Sequence, residues 1–433
     1  MAQMVKRRKL TSSIKEIILM ESTIYTGATL FAGIDESVIS DSAVWVRDGL
    51  IAYAGGKEGL PETPSDSQVI DVQGQFIMPG MTQTHAHLSF ADVSPFAIGD
   101  TSVEDATIIA VGNAAKMLAS GFTAAISFGS TYKIDVALRA AIESGRIPGP
   151  RLLAAGRDLG ATASNVDSKG GLSQIADGPW ALRQAVREQR RDQVDVVKIF
   201  IDGEAINPTN PPGELSFCDE EVEAVVSEAH RRKMRVACHS RSAAAVKQAV
   251  RAGVDFIGHA NYLDQEAIEL LAARENICVG PSIAWEVQYV AQCESLGVSK
   301  ATVKAQGYER EIAATIDSVA KMREAGINMV VGGDYGISIA PHGTYAKDLE
   351  YFVDLFGMRP AEALLCATRN GGAAFDPKGR VGILVPGAVA DMVIVDGDPL
   401  SDITVLQNHD TLKVLKSRVS VVSVFGDGES IEP

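Results

Sequence analysis

The chain has 433 residues, 46% of them hydrophobic and 22% charged, an apolar share large enough for an extensive core and too large for general disorder. Forty Lys and Arg against 55 Asp and Glu give a formal net charge of −15, which argues against nucleic acid or an anionic membrane surface as partner. The five cysteines (Cys218, Cys238, Cys278, Cys293 and Cys366) are odd in number, scattered and free of any CxxC pair, which fits free thiols in a reducing compartment.

The N-terminus carries Lys6, Arg7, Arg8 and Lys9, but Leu10 to Leu19 is interrupted by Thr11, Ser12, Ser13, Lys15 and Glu16. It therefore lacks the apolar core of a signal peptide. No run of 18 apolar residues occurs, so no membrane span is expected, and the expectation is a soluble cytoplasmic protein. From 22 to 80 the chain reads as short strands and tight turns, with Ala43 to Val46 and Leu50 to Tyr53 flanking a hairpin turn at Arg47-Asp48-Gly49. A similar β-rich stretch lies at the far end. There Ala390 to Val395 runs into Asp396-Gly397-Asp398-Pro399, and Val414 to Val424 supplies further strand. Two such ends predict one small composite domain, from residues 1–80 and 385–433.

Between them, over residues 81–384, apolar runs alternate with segments of helical periodicity. Eight strands are expected, at Thr84 to Leu88, Phe122 to Ser127, Arg151 to Ala155, Val194 to Ile201, Arg235 to Cys238, Phe256 to His259, Ile277 to Ile283 and Ile327 to Gly332. The clearest helix begins at Ser216, with Asp219 as an approximate capping box. Its apolar stripe is Val222, Val225, Val226 and Ala229, and Arg231, Arg232 and Lys233 stand at its C-terminal end. Repeated strand–helix units imply parallel strands with right-handed crossovers, and closure gives a (β/α)8 barrel. An open doubly wound sheet is the structural rival, but no GxGxxG sits between a strand and a helix.

In His85-Ala86-His87, alternate strand residues share a face, so both imidazoles can converge as a metal pincer; two ordinary polar histidines are the plainer reading. His239 and His259 each end an apolar strand, 20 positions apart, about one βα unit. Both therefore belong on the face where barrel enzymes carry their chemistry. Lys198 interrupts Val194 to Phe200; a lysine there either snorkels to the surface or is desolvated and nucleophilic, able to form a carbamate with carbon dioxide. Asp334, after Val330-Val331-Gly332-Gly333, can ligate a metal and accept a proton, or simply cap a loop.

Taken together, these motifs resemble the amidohydrolase superfamily of metal-dependent (β/α)8 TIM-barrel hydrolases with a small β-sandwich formed by both chain ends. Pro79-Gly80-Met81 followed by His85-Ala86-His87 matches its first-strand motif, and Lys198, His239, His259 and Asp334 follow in the family's order. So does the return from Gly379-Arg380-Val381-Gly382 past Pro386-Gly387 to Ala390-Asp391-Met392-Val393. The resemblance implies that His85 and His87 bind one divalent metal ion and His239 and His259 a second, with carboxylated Lys198 bridging them. It also implies that Asp334 ligates the first metal and shuttles a proton from a bridging hydroxide to the leaving nitrogen. Zinc, cobalt and manganese all suit such ligands.

Within the superfamily the chain resembles the branch of imidazolonepropionase-like enzymes, prolidase-type carboxypeptidases and ochratoxinase. One loop, Gly332 to Gly336 with Pro341 to Tyr345, is similar to phenylurea and molinate hydrolases. It departs from the carboxypeptidase pattern at His239-Ser240-Arg241-Ser242, where a Tyr is usual, and at Ala161 to Asn165, where a Gly-Gly-His segment is usual. The expected activity is cleavage of a carbon–nitrogen bond in a small amide, urea, carbamate or thiocarbamate. A carboxypeptidase acting on N-acyl amino acids and a mononuclear deaminase are the enzymatic alternatives, and a metal-free scaffold is the non-enzymatic one. Substrate contact is expected from His342, Tyr335 and Arg241, with core or loop roles as their alternatives, and self-association into a homo-oligomer is compatible with the chain's size.

Overall fold

The computed structural model describes residues 22–167 and 171–421; the basic N-terminal run and the end of the last expected strand, 422–424, lie outside them. The first five strands are β1 (Ser22–Leu30), β2 (Ile39–Arg47), β3 (Leu50–Gly56), β4 (Gln68–Asp71) and β5 (Phe76–Pro79). Then come β6 (Met81–Ala86), β7 (Phe122–Ser127), β8 (Arg151–Leu153), β9 (Asp158–Gly160), β10 (Ser173–Ile175) and β11 (Val196–Phe200). The rest are β12 (Arg235–Ser242), β13 (Phe256–Tyr262), β14 (Cys278–Gly280), β15 (Met392–Val395) and β16 (Leu412–Leu415). Nine helices concern us: α1 (Val103–Ala119), α2 (Ile134–Glu143), α3 (Pro179–Arg191), α4 (Asp219–Arg231), α5 (Ala243–Ala252), α6 (Gln265–Ala272), α7 (Ala284–Gln292), α8 (Lys300–Gln306) and α9 (Tyr308–Glu324).

Both chain ends contribute to one mixed sheet of order β16-β15-β5-β1-β2-β3, with β4 also on β1. Where a β-sandwich was expected from the two ends, the described strands form this single hydrogen-bonded sheet. Its hairpin is the one expected: Arg47 pairs with Leu50 across Asp48 (φ 52°) and Gly49 (φ 77°), two positive φ values that match the twist of the flanking strands. The sheet is tied to the rest by Arg151, whose Nε and Nη2 donate to the two Asp391 carboxylate oxygens at 2.6 and 3.1 Å.

The middle of the chain alternates strand and helix, and its strands pair in parallel as β6-β7-β8 and as β10-β9-β11-β12-β13-β14. Backbone hydrogen bonds join β8 to β11 and, through residues 328–331, β14 to β6. Val196 N donates to Ala154 O at 3.1 Å beyond β8, while Val330 N donates to Val279 O at 3.0 Å and Thr84 N to Val331 O at 2.9 Å. The eighth expected strand, Ile327 to Gly332, is thus reduced to a short paired segment, a single parallel bridge between Val279 and Met329 with the hydrogen bonds beside it. The clearest helix also starts later than its composition suggests. Its N-cap is Cys218, whose N–H donates to Glu221 Oε2 at 2.9 Å, so the box closes on Glu221 rather than between Ser216 and Asp219. No helix among the described residues is long and apolar enough to cross a membrane.

Candidate metal centre

All four strand-borne histidines, Lys198 and Asp334 converge at the C-terminal ends of the parallel strands. The imidazoles form a chain: ring centroids are 5.2 Å apart for His87–His85, 5.2 Å for His85–His259 and 4.2 Å for His259–His239. His87 Nε2 and His85 Nε2 lie 3.1 and 3.6 Å from Asp334 Oδ1. Asp334 (φ 60°), His259 (φ 78°), Ala260 (φ 54°) and Ser282 (φ 44°) occupy the left-handed region, where a non-glycine residue costs about 1–3 kcal/mol and persists only if its surroundings impose it. Packing shows why Asp334 follows two glycines. A Cβ on Gly332 would lie 2.8 Å from His85 Cβ, and one on Gly333 would collide with the Asp348 carboxyl.

The tautomers of the first pair follow from their partners. His87 Nδ1 faces Gly129 O at 3.0 Å, and a carbonyl only accepts, so this nitrogen carries the hydrogen. Ser282 Oγ donates to Gly280 O at 3.1 Å and therefore accepts from His85 Nδ1 at 3.0 Å. Both Nε2 lone pairs are thereby directed at the Asp334 side, the arrangement outer hydrogen bonds give to metal-binding imidazoles. Burial holds His85, His239 and His259 neutral, well below the usual histidine range.

The second pair has different company. His239 Nε2 and both ring nitrogens of His259 are buried with no hydrogen-bond partner, an expensive arrangement for polar atoms unless they ligate something. Glu204, absent from the sequence reading, brings Oε1 to 3.8 Å from His239 Nδ1. Two donor groups thus fit divalent cations: His85, His87 and Asp334, and Glu204, His239 and His259, the atoms of each within 4.8 Å of one another. Neutral imidazoles plus carboxylates are a suitable set for zinc, cobalt or manganese. Lys198 is buried beside them, its Nζ donating to Phe128 O at 3.3 Å and lying 4.5 Å from the Phe128 ring centre. Burial lowers its ammonium pKa, against the pull of Asp158 and Asp334.

The three residues expected to touch substrate have their polar atoms engaged within the protein, except Arg241 Nε, which is buried with no hydrogen-bond partner. His342 Nε2 donates to Phe90 O at 3.1 Å and its Nδ1 accepts from Tyr345 Oη at 2.6 Å. Tyr335 is buried and donates to Asp348 Oδ1 at 2.9 Å. Arg241, fully buried, donates from Nη1 to Glu286 Oε1 at 2.5 Å and Glu311 Oε1 at 2.7 Å, and from Nη2 to Glu204 Oε1 at 3.3 Å. Trp285 is buried against Tyr289 with ring centres 5.0 Å apart. Glu286 on α7 and Glu311 on α9 were invisible in the sequence because helix acids ordinarily face water. Glu204 could have been suspected only from its place six residues after Lys198, just beyond a strand end.

Residues 76–431 match the amidohydrolase family. Among curated proteins, the chain is 28% identical over 413 residues to ochratoxinase of Aspergillus niger, covering 89% of this chain and 83% of that one. It is 25% identical over 387 residues to imidazolonepropionase of Symbiobacterium thermophilum, covering 83% and 85%. Among solved structures, A. niger ochratoxinase superposes with TM-score 0.82 at 25% identity over 92% of this chain and 94% of that one. A Xaa-Pro dipeptidase with bound methionine gives TM-score 0.81 at 26% identity, covering 91% and 100%. Molinate hydrolase, at 20% identity and TM-score 0.75 over 95% and 99%, shares the fold. These neighbours make the fold an α/β one of the TIM-barrel type.

Proposed function

The chain belongs to the amidohydrolase family, and from that premise we propose that it is a metal-dependent hydrolase of a carbon–nitrogen bond in a small amide, urea, carbamate or thiocarbamate. The observation that carries this reading is the convergence of two carboxylate–histidine donor groups at the strand ends. His85, His87 and Asp334 would hold one divalent cation and Glu204, His239 and His259 another, with Lys198, once carboxylated, between them. Ions held there would supply Lewis acidity toward the substrate carbonyl and a water acidified to near neutrality. Asp334, 22% exposed at its side chain, is a ligand placed to exchange protons with a substrate. It would accept a proton from the attacking water at its free carboxylate oxygen and return it to the leaving nitrogen. The hydrogen bonds to Gly129 O and Ser282 Oγ keep His87 and His85 from turning during that exchange.

The backbone hydrogen bonds on both sides of 328–331 support a closed eight-stranded barrel, and the five free cysteines support a reducing, cytoplasmic setting. A small-molecule partner, rather than nucleic acid or membrane, accords with the −15 net charge. The alternative of a carboxypeptidase on N-acyl amino acids is favoured by the likeness to ochratoxinase and the Xaa-Pro dipeptidase. The test is a screen of the zinc-, cobalt- or manganese-loaded protein against N-acyl amino acids, anilides, phenylureas and thiocarbamates. Turnover of at least one is expected, and no cleavage of any would contradict the reading.

A further inference from the structure

Asp334 stands in a left-handed backbone conformation (φ 60°), which a non-glycine residue keeps only when its surroundings impose it. The chain is anchored at some distance on either side. Before Asp334, Val331 O accepts from Thr84 N and from Thr84 Oγ1, each at 2.9 Å, which ties it to the residue next to His85. After Asp334, Gly336 N donates to Ala340 O and Gly336 O accepts from Asp92 N, both at 3.0 Å. These bonds hold residues 331 and 336 and leave Asp334 itself to be fixed by something else.

One side chain from another element meets both of its neighbours. Asp348 lies in the first turn of α10 (Lys347–Asp354) and is buried. Its Oδ1 accepts from Tyr335 Oη at 2.9 Å. On the other side of Asp334, a Cβ at Gly333 would overlap both the Asp348 carboxyl and the Tyr335 ring, so the backbone there is packed directly on the pair. Tyr345 backs them: its ring lies edge-on to Tyr335 with centres 5.3 Å apart, and its carbonyl accepts from Asp348 N at 3.2 Å. Turning Asp334 out of its conformation would shift Gly333 or Tyr335, and either shift meets Asp348 or gives up its hydrogen bond. Asp348 Oδ2 is buried with no hydrogen-bond partner. A half-satisfied buried carboxyl is an expensive way to fill space, and the bond it does make is to the residue after Asp334.

Resting on the hydrolase reading above, we propose that Tyr335 and Asp348 are positioning residues for Asp334. Together they hold the chain before and after it so that its carboxylate stays 3.1 and 3.6 Å from Nε2 of His87 and His85, where a cation and the proton transfer require it. Both act through Asp334. Tyr335 thereby takes a role other than the substrate contact expected from its place in the sequence.

The test is titration of the full chain with zinc or cobalt against a chromophoric chelator, which needs no turnover. Tyr335→Phe deletes only the hydroxyl; it should weaken one of the two ions about tenfold and leave the other unchanged. In an Asp334→Ala chain the same substitution should cost nothing further, because the residue it acts through is gone. Asp348→Ala should reproduce the loss, and Asp348→Asn, which keeps an acceptor for Tyr335, should restore most of it. On any substrate that is turned over, Tyr335→Phe should lower kcat and leave KM in place. A pair that served the fold alone would lower stability in denaturant and leave the ion affinities as they were. Unchanged affinities in folded Tyr335→Phe protein, or the same loss with and without Asp334, overturn the proposal. The Tyr335→Phe cycle decides by itself if Asp348→Ala does not fold. A wild-type chain that binds no divalent ion overturns the hydrolase reading along with this one, whereas two bound ions indifferent to Tyr335→Phe overturn this one alone.

Discussion

The two halves of the candidate centre are built on different principles. Around His85 and His87 the protein supplies everything an imidazole needs: a carbonyl or hydroxyl on each Nδ1 and a carboxylate within 3.6 Å of each Nε2. Around His239 and His259 it supplies almost nothing directly, leaving three ring nitrogens without a protein partner and directing its effort to Glu204, which is gripped by Arg241 and through it by α7 and α9. The first half is fixed by short-range hydrogen bonds. The second is fixed by a buried charge network reaching two helices that carry no chemistry of their own.

The largest effect expected on this contrast comes from the first half. Asp334→Asn should retain bound metal and lose turnover by about a thousandfold, the scale of a removed proton-transfer group; full activity in the metal-loaded variant would sink that role. In the second half, Arg241→Met leaves two buried carboxyls without their cation. It should destabilise the fold by about 3–5 kcal/mol, measured by denaturant titration, and loosen the metal near His239. A smaller change follows from Ser282→Ala, which removes the acceptor that orients His85: metal affinity should fall about tenfold or more, read by competition with a chromophoric chelator.

The smallest effect concerns His342, outside both halves. Burial pushes its pKa down to about 4, against the opposing pull of Asp92. The unfolded chain therefore binds its proton more readily, and stability is lost as pH falls from about 6.5 to about 4, by about 3 kcal/mol at most. His342→Gln should flatten that slope in denaturation curves at pH 7 and pH 5. An unchanged slope would show that another group sets it.

The same contrast explains what could be read from the sequence. His85 and His87 declare themselves because strand periodicity puts alternate residues on one face. His239 and His259 do so because each ends an apolar run one βα unit from the other. Strand ends are local features, and local features are legible. Glu204, Glu286 and Glu311 are not, since nothing in a helix such as α9 marks Glu311 as buried. Only the packing of α9 beside β13, where Ser318 Oγ donates to Asn261 O at 2.8 Å, carries it inward. Arg241 could be placed at the strand end but not characterised, because its role depends on those acids. The eighth strand was overestimated for a related reason: a run of apolar residues shows burial, whereas the length of pairing depends on neighbours at β6 and β14.

The most direct measurement is hydrolysis of the amide, phenylurea and thiocarbamate panel by the same preparation before chelation, after chelation, and after return of zinc, cobalt or manganese. The account predicts cleavage of a carbon–nitrogen bond that disappears with the metal, returns with it, and tracks two ions bound per chain. Undiminished cleavage by the metal-stripped protein would contradict it.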